Sequence, residues 1–171
     1  MKLFELGKIG KLTIKNRIVM APMGVGELAE PEGTLSQRGI DYYVARAKGG
    51  TGLITTFAAR VSREIEGHLR RVFVDDSADV AWLNKLADAV HGYGAKVAVQ
   101  LTAGMGRVAN PAYWGKVSMV APSALPCFWD PSITTRELAI EEIERLVRAF
   151  EFSAEILRTA GIDAVELHGH E

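Results

Sequence analysis

A chain of 171 residues with 48% hydrophobic and 24% charged residues is long and apolar enough to bury a sizeable core, which excludes a disordered segment. Its net charge is −1 with both signs scattered, so nucleic acid and anionic membranes are not expected partners. No signal-peptide core stands near the start and no apolar run approaches the ~20 residues of a membrane span, so the expected location is cytoplasmic. The single cysteine, Cys127, rules out an internal disulfide and fits a reducing compartment.

Residues 1–15 carry two short apolar stretches, Leu3-Phe4-Glu5-Leu6 and Lys11-Leu12-Thr13-Ile14, separated by glycines, and read as a capping hairpin. Ile18 to Ala21 reads as a first buried strand, ended by Pro22, which has no N–H to give to a ladder. Ser36 is a candidate N-cap for a helix in which Ile40, Tyr43, Val44 and Ala47 recur at helical spacing until Gly49-Gly50. Gly52 to Thr56 reads as a second strand, followed by a polar stretch to about Ser77. Ser77 can cap a second helix with Val80, Leu83, Ala87 and Val90 on one face. Lys96 to Leu101 is a third strand. After a long Gly-, Pro- and aromatic-rich loop, Ile143, Leu146, Val147, Phe150, Ala154 and Leu157 mark a third helix, ended by Gly161. Ala164 to His168 is a fourth strand.

This alternation predicts an α/β fold with a parallel sheet of right-handed βαβ units. The helix-to-strand connections are a few residues each, whereas all three strand-to-helix connections are long, and long loops gathered on one side of a sheet are where function concentrates. In a (β/α)8 barrel of the TIM type that side holds the active site. A complete barrel takes eight strands and ~250 residues, so residues 16–171 read as strands one to four and helices one to three, a half-barrel. Such a half closes by pairing with a copy of itself or with a complementing C-terminal half, because an open sheet exposes its edges.

Two runs match G-x-G-x-x-A: Gly24-Val25-Gly26-Glu27-Leu28-Ala29 and Gly104-Met105-Gly106-Arg107-Val108-Ala109. Pro31 and Asn110-Pro111 interrupt the helix that a dinucleotide site needs at its pyrophosphate, so the glycines are read as letting loop backbone approach a ligand. Gln100, near the end of an otherwise apolar strand, either faces a site or satisfies neighbouring backbone; its amide offers both a donor and an acceptor. Period two puts Ala164, Glu166 and His168 on one face of the fourth strand. Glu166, facing a barrel interior, is expected in a structural ion pair with a cation outside this half. His168 is either a satisfied structural imidazole or a donor to an anion or carbonyl. His168 and His170 lack a third ligand, so no metal site is expected. Arg107 is either a surface residue or an anion contact, and Tyr113, Trp114, Phe128 and Trp129 form either an aromatic wall or the packing of their own loop. Cys127 is read as inert.

Asn16-Arg17-Ile18-Val19-Met20-Ala21-Pro22-Met23, Gly49-Gly50-Thr51-Gly52-Leu53-Ile54, Val99-Gln100-Leu101 with Gly106-Arg107, Ala121-Pro122-Ser123-Ala124, and Ala160 to Gly169 follow one another in the order found in the old yellow enzyme family, and the chain resembles it from end to end. The resemblance implies an FMN-dependent ene-reductase that takes hydride from NAD(P)H and passes it to an activated alkene of an α,β-unsaturated carbonyl or acyl compound. FMN would lie against Ala21, Pro22, Met23 and Gly24, with Ala58 beside it and Gln100 on its pyrimidine end. His168 matches the first of a histidine pair that activates the substrate; the second aligns with Glu171 or, shifted by one, His170. Gly24 stands where many members carry a Thr or Cys, and no histidine precedes Gly106-Arg107. The latter resembles the enoate reductase branch, whose longer members add an iron–sulfur cluster and FAD. The family's tyrosine proton donor and phosphate loops would lie beyond Glu171, so the chain alone is expected to hold FMN poorly. The other expectation, from a different class, is a non-catalytic half-barrel that self-associates.

Overall fold

The computed structural model describes residues 2–24, 28–64, 71–109 and 119–169. A 3-10 turn over Lys2–Phe4 precedes an antiparallel hairpin of β1 (Gly7–Ile9) and β2 (Leu12–Ile14). Then follow β3 (Val19–Met20), α1 (Gln37–Lys48), β4 (Leu53–Arg60), α2 (Val80–His91) and β5 (Lys96–Thr102). The chain continues through the two-residue strands β6 (Val120–Ala121) and β7 (Arg136–Glu137), α3 (Ile140–Thr159) and β8 (Ala164–Leu167). The main sheet has the order β3-β4-β5-β8 and is parallel throughout. That is the arrangement of the first four strands of a (β/α)8 barrel.

Alternation along the strands divides the sheet into two faces. Ile54, Val97, Val99 and Leu101 point to the helices and join Tyr43, Leu83, Leu86, Val90 and Leu157 in one core. Fully burying a side chain such as Leu83 or Leu86 contributes about 1.5–3 kcal/mol. On the opposite face Ile14 of the hairpin packs on Leu53 and Ala98, with Ala164 beside them. The hairpin therefore covers the interior face where the strands begin.

The beginnings of the strands are tied by polar groups. Asn16 donates from Nδ2 to the Gly50 carbonyl (2.7 Å) and accepts the Ile18 N–H at Oδ1 (3.1 Å). A Cβ on Gly52 would fall on Asn16 Oδ1 and 2.7 Å from its carbonyl oxygen, so only glycine fits there. Asp163 just before β8 accepts from Lys96 Nζ (2.7 Å) and the Val97 N–H (2.9 Å) and meets His91 Nε2 at 2.6 Å. Burial alone would push the Asp163 carboxyl up, but Lys96, His91 and the Val97 amide together hold it below the usual carboxylate range.

Several boundaries differ from the sequence reading. The first ladder is only Val19–Met20, because the chain peels away before Pro22. The second strand extends to Arg60, whose N–H donates to the Val72 carbonyl while its own carbonyl accepts from Val74. Asp76, not Ser77, is the cap: it accepts the Ala78 N–H (2.8 Å), and Asp79 reaches back to the Asp76 N–H (3.0 Å). Ser77–Asp79 form a 3-10 turn, and α2 starts at Val80. The third helix begins at Ile140, where Glu142 Oε2 accepts the Ala139 N–H (2.8 Å) while Arg136 grips both carboxylate oxygens. β8 ends at Leu167, one residue before His168.

β3 and β8 are the sheet's edges. On the β8 side Val165 and Leu167 are 40% and 69% exposed, and on α3 Val147 is 63% exposed.

Candidate functional site

The four strands end on the same side, and their ends bring most of the expected residues together. Ala21 to Gly24 leave the ladder directly after the pair Met20 and Ile54. Met23 is 54% exposed, and a Cβ on Gly24 would meet nothing within 4 Å. This backbone is open to a ligand.

The second strand contributes through an irregularity. Its pairing with β5 runs to Thr55 and Ala98, then resumes at Ala58 and Gln100, so β4 carries one extra residue. The bulge is held from behind: the Phe57 N–H donates to the Tyr43 hydroxyl (3.1 Å), and Tyr43 is 0% exposed. Burial drives the Tyr43 hydroxyl well above its usual ionisation range, so it stays neutral. Ala58 is thereby placed beside Gln100, and Gln100 in turn beside Glu166.

Gln100 is 7% exposed, and its Nε2 donates to Glu166 Oε1 at 2.6 Å. The cation expected for Glu166 was placed outside this half of the barrel; among the described residues its hydrogen-bond partner is the Gln100 amide. The register of three parallel strands, which brings positions 66 residues apart onto one row, is the reason. Farther along, Arg60 pairs with Thr102 in register; both are buried polar residues at strand ends that the sequence reading passed over. The run Ala58-Ala59-Arg60 held the signal, since period two puts Ala58 and Arg60 on one face.

His168 follows β8 directly; its N–H donates to the Leu101 carbonyl (2.9 Å), and its ring is half-buried. His170 and Glu171, the candidates for its partner, lie outside the described residues. No group of three His, Cys, Asp or Glu that could hold a metal occurs among the described residues.

The loop after β5 folds on itself. Thr102 Oγ1 donates to the Gly104 carbonyl (2.9 Å) and accepts the Gly104 N–H (3.1 Å). Gly106–Val108 form a 3-10 turn rather than the first turn of a helix, so this glycine run lacks the dinucleotide geometry. Gly26 of the other run lies outside the described residues. Arg107 donates from Nε to the Pro126 carbonyl (3.2 Å), and Trp129 Nε1 donates to the Val108 carbonyl (2.8 Å). Phe128 meets Trp129 edge-on at 5.2 Å, and each is 60% exposed. These contacts tie the loop together; Tyr113 and Trp114 lie outside the described residues. Cys127 is buried, with its Sγ 3.6 Å from the Ala109 carbonyl.

Two further features flank the strand ends. Arg63 lies over the Phe73 ring (4.3 Å) and donates to Asp75 Oδ1 (3.0 Å) and the Glu32 carbonyl (3.0 Å), joining the loops that follow the first two strands of the main sheet. Burial raises the Asp75 carboxyl above its usual range despite Arg63. A cavity of about 310 Å³ lies between the loop after β5 and α3, lined by apolar groups including Val120, Leu138, Leu146 and Phe150. Gly104 and Gly106 line it, whereas Ala21 to Gly24, Ala58, Gln100 and His168 do not.

Comparison with known proteins gives this geometry a context. Residues 2–171 match the model of the NADH:flavin oxidoreductase / NADH oxidase family. The chain is 46% identical over 174 residues to cinnamate reductase of Clostridium sporogenes, covering 99% of this chain and 26% of that protein. It is 34% identical over 168 residues to NADPH dehydrogenase of Bacillus licheniformis, covering 98% and 48%. Among solved structures, the old yellow enzyme homologue of Zymomonas mobilis is similar with a TM-score of 0.82 and 30% identity, over 98% of this chain and 48% of that one. The chain spans about a quarter to a half of the length of these relatives.

Proposed function

The chain belongs to the NADH:flavin oxidoreductase / NADH oxidase family, the old yellow enzyme family, and on that premise we propose that it supplies the flavin-side half of an FMN-dependent ene-reductase. FMN, when bound, supplies hydride for an activated alkene of an unsaturated carbonyl or acyl compound and is recharged by NAD(P)H. The residues present fit that group. A flat ring needs close backbone, small side chains and an edge partner: Gly24 leaves open space at its backbone, Ala58 is small, and Gln100 stands in register with Ala58. Gln100 would bond the pyrimidine edge. The His168 imidazole would donate to the substrate's carbonyl or carboxylate, drawing electron density from the alkene.

The observation that carries this reading is the buried Gln100 amide at a strand end, in register with Ala58. The test is an FMN titration of the purified protein, followed by absorbance, with intact mass and solution size measured alongside. Stoichiometric binding that Gln100→Ala weakens about tenfold, the loss of one hydrogen bond, supports it. Binding unchanged by Gln100→Ala refutes the assignment of the amide.

The exposed Val165, Leu167 and Val147 favour a second statement. We propose that the β8 edge and the exposed side of α3 are covered by a complementing C-terminal half or by a second copy of the chain. A colourless, self-associating protein that takes up no FMN would instead mark a non-catalytic half-barrel.

A further inference from the structure

The Gln100 amide is not symmetric in what it offers a ligand, and the structure fixes which way round it stands. A primary amide can rotate by 180° about its last bond and present its oxygen where its nitrogen was. On one flank Gln100 has Ala58, whose methyl group expresses no preference between the two orientations. On the other it has Glu166, and an ionised carboxylate only accepts hydrogen bonds. At 2.6 Å that carboxylate stabilises the orientation with Nε2 toward β8 and opposes the reverse, in which two oxygens would face each other. Among the described residues this is the one hydrogen bond the amide makes.

We infer that Glu166 is a positioning residue that sets the polarity of the flavin-recognition amide. This rests on the reading of Gln100 given above. With Nε2 committed to Glu166 by one proton, Gln100 presents Oε1 as an acceptor and its second N–H as a donor, in a fixed order. The complement is a ligand edge bearing an N–H next to a carbonyl, which is the pattern of a pyrimidinedione ring. Glu166 acts on ligand choice through Gln100 and need not touch the ligand. Its place on the open interior face, rather than in the core, means that replacing it leaves the packing behind the sheet intact.

The experiment compares Glu166→Ala, Glu166→Gln and Gln100→Ala with the parent protein in two readouts. The first is the side-chain amide signals of Gln100 by NMR in the ligand-free protein. One proton is expected downfield in the parent, retained in Glu166→Gln, whose own oxygen can still accept, and collapsed toward free-amide values in Glu166→Ala. The second is the dissociation constant for FMN and for 3-methyl-FMN, which lacks the ring N–H. Glu166→Ala is expected to weaken FMN about tenfold, to leave 3-methyl-FMN nearly unchanged, and to add no further loss in a Gln100→Ala background. An amide signal insensitive to Glu166→Ala overturns the inference whether or not flavin binds. If Gln100→Ala weakens FMN and Glu166→Ala does not, the inference falls while the flavin reading stands. If Gln100→Ala is silent, the flavin reading itself falls.

Discussion

Replacing Tyr43 by Phe tests whether the bulge in β4 is held by a single hydroxyl. Tyr43 is 0% exposed, and its hydroxyl accepts the Phe57 N–H at 3.1 Å, where the extra residue interrupts the ladder. Phenylalanine keeps the ring and its stacking on Phe57, with centroids 6.4 Å apart, and removes only the acceptor. A buried N–H left without a partner costs about 1–3 kcal/mol, and for a chain of this size Tm falls about 2–4 °C per kcal/mol. Thermal and urea unfolding of both proteins near pH 7 would measure it. The pH dependence supplies an internal control. The folded-state ionisation of Tyr43 is raised, so its contribution is complete below about pH 10 and is lost as pH rises beyond, when the unfolded chain alone gives up the proton. Phenylalanine removes that share, so the gap between the two proteins narrows in alkali. A loss below about 0.5 kcal/mol, within the scatter of neutral surface changes, would mean that Phe57 finds another acceptor and that the bulge does not depend on this contact.

Asp163→Ala should cost about 2–3 kcal/mol near neutrality, the range for a charge-assisted hydrogen-bonded group, measured by urea unfolding across pH. The Asp163 carboxyl is depressed in the folded protein, so its contribution is present above the unfolded value near pH 4 and fades as pH falls through the lower folded value. Parent and variant should converge in acid, and a constant gap would refute the assignment. The Glu142 carboxyl, gripped by Arg136 and the Ala139 amide, should titrate at about 2 when followed by carbon NMR. A midpoint near 4 would mean that the Arg136 pair is not formed in solution.

The order of strands and helices could be read from the chain because hydrophobic period alone decides it: Ile40, Tyr43 and Ala47, and Leu83, Ala87 and Val90, are buried as their spacing requires. The bulge could not, since Thr55-Thr56-Phe57-Ala58 contains no glycine or proline to mark an extra residue. Nor could the start of α3, where a glutamate reaching back to an amide adds a turn ahead of the apolar stripe. Ala58 and Gln100 were nameable singly, from resemblance and from an amide at the end of an apolar strand. The link from Gln100 to Glu166 was not, because it depends on cross-strand register, which no local pattern encodes.

The main core, from Leu35 to Ile162, lies behind the sheet, and the interior face holds a smaller cluster of Ile14, Leu53 and Ala98 where the strands begin. That division has a kinetic consequence. A chain leaving the ribosome at about 5–20 residues per second can bury this hydrophobic mass once β8 is free to pair with β5. The interior face carries polar groups instead, with Thr55, Gln100 and Thr102 buried at 3%, 7% and 4% exposure and Glu166 exposed. Polar groups on that face give hydrophobic association little to grip, whereas Val165 and Leu167, 40% and 69% exposed, put apolar surface at the β8 edge.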